Sequence, residues 1–416
     1  MESLKFVKKS IGRKALNKMK SLPVVFTIFI FASGFNACQS KSKSGKDLAV
    51  ETSPPSAFVF APYDWQAPAS APILTPPIHA VSAQAPETIS EFSAIDVPGH
   101  NIYPAVSPDG NKVAYTSFSR DQHGHQEIYE YDLSKKAEKR ISYQKGHAFG
   151  ASYHPHRPQI LYASSSEELS EQPELFLPRL KAGLEAPTFE ESKIRTPLQL
   201  LLLPTELILR DTGNMNRQRV TLNHGYDGEA SFFDSGRRLI FSSVRKEEVH
   251  IFTMNLNGQQ IQKISHLKGF NGGAHVSPEG KSVVWVNVEP PGVETRAETR
   301  VVFSPLNGKS PQILSLPQGI HLWPRWVMGV DPGEEWIVFS SNMQNHLRFS
   351  LYAITRTGGC LTRLTSDDTH EIHPITDPTG KKIFYSRFHQ GRWVLGWRAF
   401  SLAKTCATLA QHDHSR

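Results

Sequence analysis

Five histidines, His100, His147, His224, His321 and His370, recur along the chain, each a few residues ahead of a strand-like segment. Imidazole titrates near physiological pH and is the commonest metal ligand, so histidines gathered from distant segments can hold a metal or a polar ligand. His370 is closely followed by His373, with Glu371 between them, which makes His370 and His373 the pair for a metal-bound alternative. The competing role is structural: a histidine at a repeated position bonds the backbone of the neighbouring unit. We assign no metal and no cofactor, and expect His100, His147, His224, His321, His370 and Trp323 to bind a partner or ligand. Trp323 offers a flat face to a sugar or peptide, whereas Trp326, Trp336, Trp393 and Trp397 are expected mostly in the core. Asp109, Asp234 and Asp377 read as turn formers. No nucleophile elbow, Walker loop, Rossmann fingerprint or His-Glu-x-x-His motif is present, so no catalytic residue is assigned.

The histidines converge only if the elements carrying them form a ring, and past Ser90 the sequence is periodic. Tyr103 to Tyr115 contains Ser107-Pro108-Asp109-Gly110 followed by an apolar run; the theme returns at Glu229 to Phe241 and Gly273 to Trp285. Looser copies run from Pro324 to Phe339 and from Pro374 to Tyr385, and Ala151 to Tyr162 is a degenerate one. Proline presets φ, aspartate bonds its own backbone and glycine supplies φ > 0, so each theme is a hairpin turn. A third strand follows, as in Ile128-Tyr129-Glu130-Tyr131-Asp132. A fourth ends the unit, as in Lys139-Arg140-Ile141-Ser142, Gln218-Arg219-Val220-Thr221, Gln262-Lys263-Ile264-Ser265 and Thr362-Arg363-Leu364-Thr365. Four strands in roughly 45 residues predict an all-β fold, a β-propeller of about six four-stranded blades. Residues 88 to 97 are expected to lend a strand to the first repeat and close the ring.

The chain has 416 residues, 39% of them hydrophobic and 10% aromatic, enough for a sizeable core. Its net charge of +7 is concentrated at Lys5, Lys8, Lys9, Arg13, Lys14, Lys18 and Lys20, so the remainder is nearly neutral and nucleic-acid binding is not expected. This basic stretch precedes an apolar run from Leu22 to Phe31 and then small residues, the order of a secretory signal, and the run is too short to span a bilayer. Phe35-Asn36-Ala37-Cys38 resembles the bacterial lipobox, with Phe35 and Asn36 departing from its usual residues. That resemblance implies cleavage before Cys38 and lipid attachment to its thiol. The alternatives are an ordinary cleaved signal or an uncleaved anchor. With no aspartate after Cys38, export leads to the periplasmic side of the envelope, anchored in the outer membrane.

We divide the chain into a signal peptide (1–37), a Pro/Ser/Ala-rich tether (38–89) and a propeller (90–416) with an insertion near 167–204. The tether composition predicts an extended segment lifting the domain off the membrane. The insertion contains the apolar run Leu198 to Leu203, expected to pack on one blade, with an exposed adhesive loop as the alternative. Cys360 and Cys406 remain once Cys38 is lipidated; a disulfide between them and two buried free thiols are the alternatives.

The Ser-Pro-Asp-Gly turn, the Ile-Tyr-x-x-Asp strand and the Arg-x-Thr strand together resemble the TolB-type repeat over roughly Gly99 to Leu409. TolB itself is a periplasmic partner of the Tol–Pal system with an α/β domain before its propeller, where this chain carries an anchor and tether. Propeller-bearing peptidases resemble the repeats too, but add a hydrolase domain for which no room is expected after Leu409. Oligogalacturonate lyases resemble TolB-type propellers and hold manganese with histidines, which implies the alternative of a metal-dependent carbohydrate-active propeller or glycan binder; Arg325, Arg348 and Arg387 are its candidate uronate clamps. The leading expectation is a non-catalytic, monomeric scaffold whose channel mouth binds an envelope protein or peptide.

Overall fold

A computed structural model of the chain describes residues 91–123, 125–171, 204–214, 216–223, 225–245, 248–289, 298–327, 335–345, 348–358, 360–365 and 369–402. Cys38, His224, Cys406, the signal segment, the tether and most of the insertion lie outside them.

Strand-forming runs separated by tight turns give six antiparallel four-stranded sheets. Blade one comprises β2 (His100–Val106), β3 (Lys112–Phe118), β4 (Glu127–Asp132) and β5 (Ala137–Arg140). Blade two is β6 (Ala148–Tyr153), β7 (Gln159–Ser164), β8 (Glu206–Asp211) and β9 (Arg217–Arg219). Blade three is β10 (Asp227–Phe233), β11 (Arg238–Arg245), β12 (Glu248–Asn255) and β13 (Gln262–Lys263). Blade four is β14 (Phe270–Val276), β15 (Ser282–Glu289), β16 (Glu298–Pro305) and β17 (Gln312–Ile313). Blade five is β18 (His321–Trp326), β19 (Trp336–Ser341), β20 (Ser350–Thr355) and β21 (Leu361–Arg363). Blade six is β22 (Glu371–Thr376), β23 (Lys382–His389), β24 (Arg392–Ala399) and, from the other end of the chain, β1 (Ser93–Ile95).

The first strands close a ring: β2 packs on β6, β6 on β10, β10 on β14, β14 on β18, β18 on β22, and β22 back on β2. Closure therefore comes from β1, which pairs Ser93 with Trp397, Ala94 with Gly396 and Ile95 with Leu395 in the last blade. The expectation that this strand joins the first repeat is corrected. Blade one already draws four strands from its own repeat, and the open hydrogen-bonding edge is on β24.

The second strand of each blade buries an aromatic ring between its neighbours. Tyr115, Tyr162, Phe241, Trp285, Phe339 and Tyr385 are all under 2% exposed. The hydroxyl ending the fourth-strand motif has a defined job. Ser142, Thr221, Ser265 and Thr365 accept the backbone N–H of Ile128, Leu207, Ile251 and Leu351 at 2.7, 2.8, 2.9 and 3.0 Å. This hydroxyl supplies the acceptor where the strand ladder ends. The turn aspartates are occupied locally: Asp109 accepts Asn111 N–H, and Asp377 accepts Lys381 and Lys382 N–H. The insertion falls between β7 and β8, beginning with a short helix α1 (Ser166–Glu171).

Candidate functional site in the central channel

Each innermost strand carries one β-bulge, and the six bulges are equivalent. The register with the second strand shifts between Ile102 and Ala105, Phe149 and Ser152, Gly228 and Ser231, Gly272 and His275, Leu322 and Arg325, and Ile372 and Ile375. Within each shift one residue is left-handed: Tyr103 (φ 54°), Gly150 (68°), Glu229 (51°), Gly273 (68°), Trp323 (53°) and His373 (57°). Glycine adopts this conformation without strain; the other residue types do so at a cost of order 1 kcal/mol or more. Side chains are thus retained at four bulges despite their backbone cost, which points to a role beyond packing.

Three of these side chains meet on the channel axis. His373 lies between Tyr103 and Trp323, with ring centroids 3.7 and 3.9 Å away. His373 is 5% exposed, and neither of its ring nitrogens has a hydrogen-bond partner. Burial holds this imidazole well below its ordinary pKa, with Arg325 acting in the same direction, so it is neutral.

On the turn side of the aromatic cluster lies a cavity of about 130 Å³. Its lining includes Tyr103, Ser152, Glu229, Ser231, His275 and Arg325, contributed by five different blades. A Cβ built on Gly150, another lining residue, would meet nothing within 4 Å. One oxygen of Glu229 accepts Gly273 N–H at 2.7 Å and the Ser242 hydroxyl at 2.8 Å. Burial pushes its carboxyl above the ordinary value, opposed by those two donors and by Arg325. The Arg325 Nη1 donates to Gly273 O at 3.0 Å. The His275 Nδ1 accepts Trp326 N–H at 3.2 Å, and burial followed by Arg325 lowers its pKa to about 3. An imidazole neutral and accepting at Nδ1 must carry its proton on Nε2.

The strand-start histidines are placed elsewhere, between blades. Three of them accept a backbone N–H of the preceding blade: His100 Nδ1 from Trp393 at 3.3 Å, His147 Nδ1 from Gln126 at 3.4 Å, and His370 Nδ1 from Phe349 at 3.5 Å. His321 bonds the Ser341 hydroxyl at 2.9 Å and Pro317 O at 3.1 Å. Burial lowers the pKa of His147, His321 and His370 to about 4 in each case. His370 packs against Phe349, Phe388 and Trp393, a different setting from that of His373. Among the described residues, no group of three or more His, Cys, Asp and Glu is placed to hold a metal ion. Trp323 is 5% exposed and belongs to the axial aromatic cluster.

Of the candidate uronate clamps, Arg325 lines the cavity, while Arg387 pairs with buried Glu371 at 3.2 Å. Glu229, His275 and Tyr103 were not singled out by motif. Their signal is positional: Tyr103, Gly150, Gly273, Trp323 and His373 stand four residues before Ser107, His154, Ser277, Val327 and Asp377, so a column alignment of the repeats exposes the bulge position. Cys360 is disulfide-bonded, and Cys406 lies outside the described residues.

No family model matches the chain, and no curated protein matches it. Solved structures similar to it include TolB from Acinetobacter baumannii, at 18% identity and a TM-score of 0.49, over 66% of this chain and 56% of that one. An oligogalacturonate lyase in complex with manganese is 13% identical with a TM-score of 0.47, over 74% of this chain and 80% of its own. The β-propeller domain of the Trilobed protease from Pyrococcus furiosus is 12% identical with a TM-score of 0.43, over 76% and 83%. This chain spans little more than half the length of the Acinetobacter TolB that it matches.

Proposed function

We propose that this chain is a non-catalytic, lipid-anchored propeller of the bacterial envelope that binds a protein or peptide segment in its central channel. The observation that carries this reading is the axial cavity of about 130 Å³, framed by polar side chains from several blades and by side-chain-bearing bulges. A rigid ring of sheets presents such groups preorganised, so little ordering opposes binding. The basic stretch, the apolar run and Cys38 support export and anchoring.

The test is an affinity pull-down of the tagged full chain from membranes, with Cys38→Ala and Arg325→Met variants alongside. Capture of one envelope protein, lost with Arg325→Met, supports the channel; no reproducible partner overturns the scaffold. Cys38→Ala is expected to move the chain from the membrane pellet to the soluble fraction. Unchanged sedimentation overturns the lipid anchor.

The open ring nitrogens of His373 favour one second reading, a metal-dependent carbohydrate-active propeller or glycan binder. Elemental analysis of purified protein tests its metal-dependent form: a stoichiometric transition metal, lost in His373→Ala, supports it, and no bound metal overturns it.

A further inference from the structure

We infer that the channel cavity takes the carboxylate end of a polypeptide, with the adjoining N–H of the terminal residue, an inference that deepens the channel reading above and rests on it. Three cavity-lining groups have unused hydrogen-bonding atoms. Arg325 spends Nη1 on backbone carbonyls, of Gly273 at 3.0 Å and Pro324 at 3.4 Å, and leaves Nε and Nη2 without partners. His275 is fixed as the Nε2–H tautomer by Trp326 N–H, and that proton has no acceptor. Glu229 uses Oε2 for Gly273 and Ser242 and leaves Oε1 open. None of these four atoms is sealed from solvent without a partner.

Arg325 and Glu229 line the same cavity without forming an ion pair with each other. Had they paired, each would already be satisfied by the other. Held apart, they offer a guanidinium edge and an imidazole N–H on one side and a carboxylate oxygen on the other. A carboxylate satisfies the two donors, and charge-assisted bonds of this kind are the strong ones. A nitrogen donor one carbon away satisfies Glu229.

Size narrows the ligand. A cavity of about 130 Å³ is slightly smaller than the ~150 Å³ apolar cavity that accommodates benzene. It therefore admits a group of roughly six non-hydrogen atoms, the scale of one small terminal residue. The same chemistry comes from two sources, a peptide end or a free amino acid. The chain end is the source we commit to, because it follows from the channel reading above, in which the partner is a protein or peptide segment.

The experiment is isothermal titration calorimetry of the full chain with N-acetyl-Ala-Ala-Ala, its C-terminal carboxamide, free alanine and galacturonic acid. The expected result is binding of the acid peptide, at least tenfold weaker binding of the carboxamide, and a loss of at least tenfold in Arg325→Met. Ser152→Leu fills the cavity at a side chain whose hydroxyl makes no hydrogen bond, and is expected to abolish binding even if Arg325→Met fails to fold. Equal binding of acid and carboxamide, or binding that survives Ser152→Leu, overturns the inference. Alanine binding more tightly than the tripeptide overturns the chain-end assignment in favour of free amino acids, and binding of galacturonic acid alone overturns it in favour of a sugar acid. A pull-down partner retained by Arg325→Met and Ser152→Leu leaves the scaffold standing and removes this site from it. The absence of any partner removes both.

Discussion

Thr221 shows how much a repeat motif can hang on one oxygen. Its hydroxyl accepts Leu207 N–H at 2.8 Å and is 3% exposed, so valine at this position leaves a buried N–H unpaired. Thr221→Val is expected to cost about 1–3 kcal/mol in urea unfolding, and Ser142, Ser265 and Thr365 should behave alike. The buried histidines predict an acid limb. His147, His321 and His370 fall from 6.5 to about 4 on folding because burial disfavours the charged ring. A lowered pKa means that the native state binds fewer protons than the unfolded chain between pH 6.5 and 4, so stability falls as pH drops through that window. Asp227 acts in the opposite sense: burial raises it from 3.8 to about 7, which adds stability as pH falls from 7 toward 4. His147→Gln should therefore flatten the acid limb in chemical denaturation between pH 7 and 4, and Asp227→Asn should steepen it. Shifts of the same sign in both variants would contradict this account.

At the scale of the element, the blades were legible because each strand announces itself twice, by its turn chemistry and by its apolar alternation. Ser107-Pro108-Asp109-Gly110 predicts the β2–β3 hairpin, and Gly110 takes the φ of 73° that the turn requires. The bulges were not legible. A left-handed Glu229 or Trp323 has no signature within its own repeat, because neither residue type favours that conformation and only the aligned repeats share the position. Nor did the histidine periodicity distinguish a lumen-facing imidazole from one bonded to the preceding blade, since both sit near the same strand. The closing strand β1 is only three residues long, and Ile95 is its main core anchor at 4% exposure. Ile95→Ala is expected to cost about 2–5 kcal/mol, with hydrogen exchange rising first in β24 and later in β11 and β12; simultaneous exchange across all blades would contradict a local clasp. The cystine at Cys360 falls just before β21, and we propose Cys406 as its partner. Peptide mapping without reductant should recover one linked pair, Cys360 with Cys406, and a Cys360–Cys38 peptide would rule that pairing out.

For the whole molecule, ring closure couples residues almost three hundred positions apart, as in the Arg392 Nη1 bond to Val97 O at 2.8 Å. β1 is also the first described strand, so under the anchoring proposed above a pull from the N-terminal side of the described residues enters the propeller at the blade-six edge. The pairs Ser93–Trp397, Ala94–Gly396 and Ile95–Leu395 resist it, together with Phe92 packed against Tyr385 and Arg392 bonded to Asp96 and Val97. The propeller is thus built like a belt fastened at one clasp: a pull from that end is expected to open blade six first, before the other five blades.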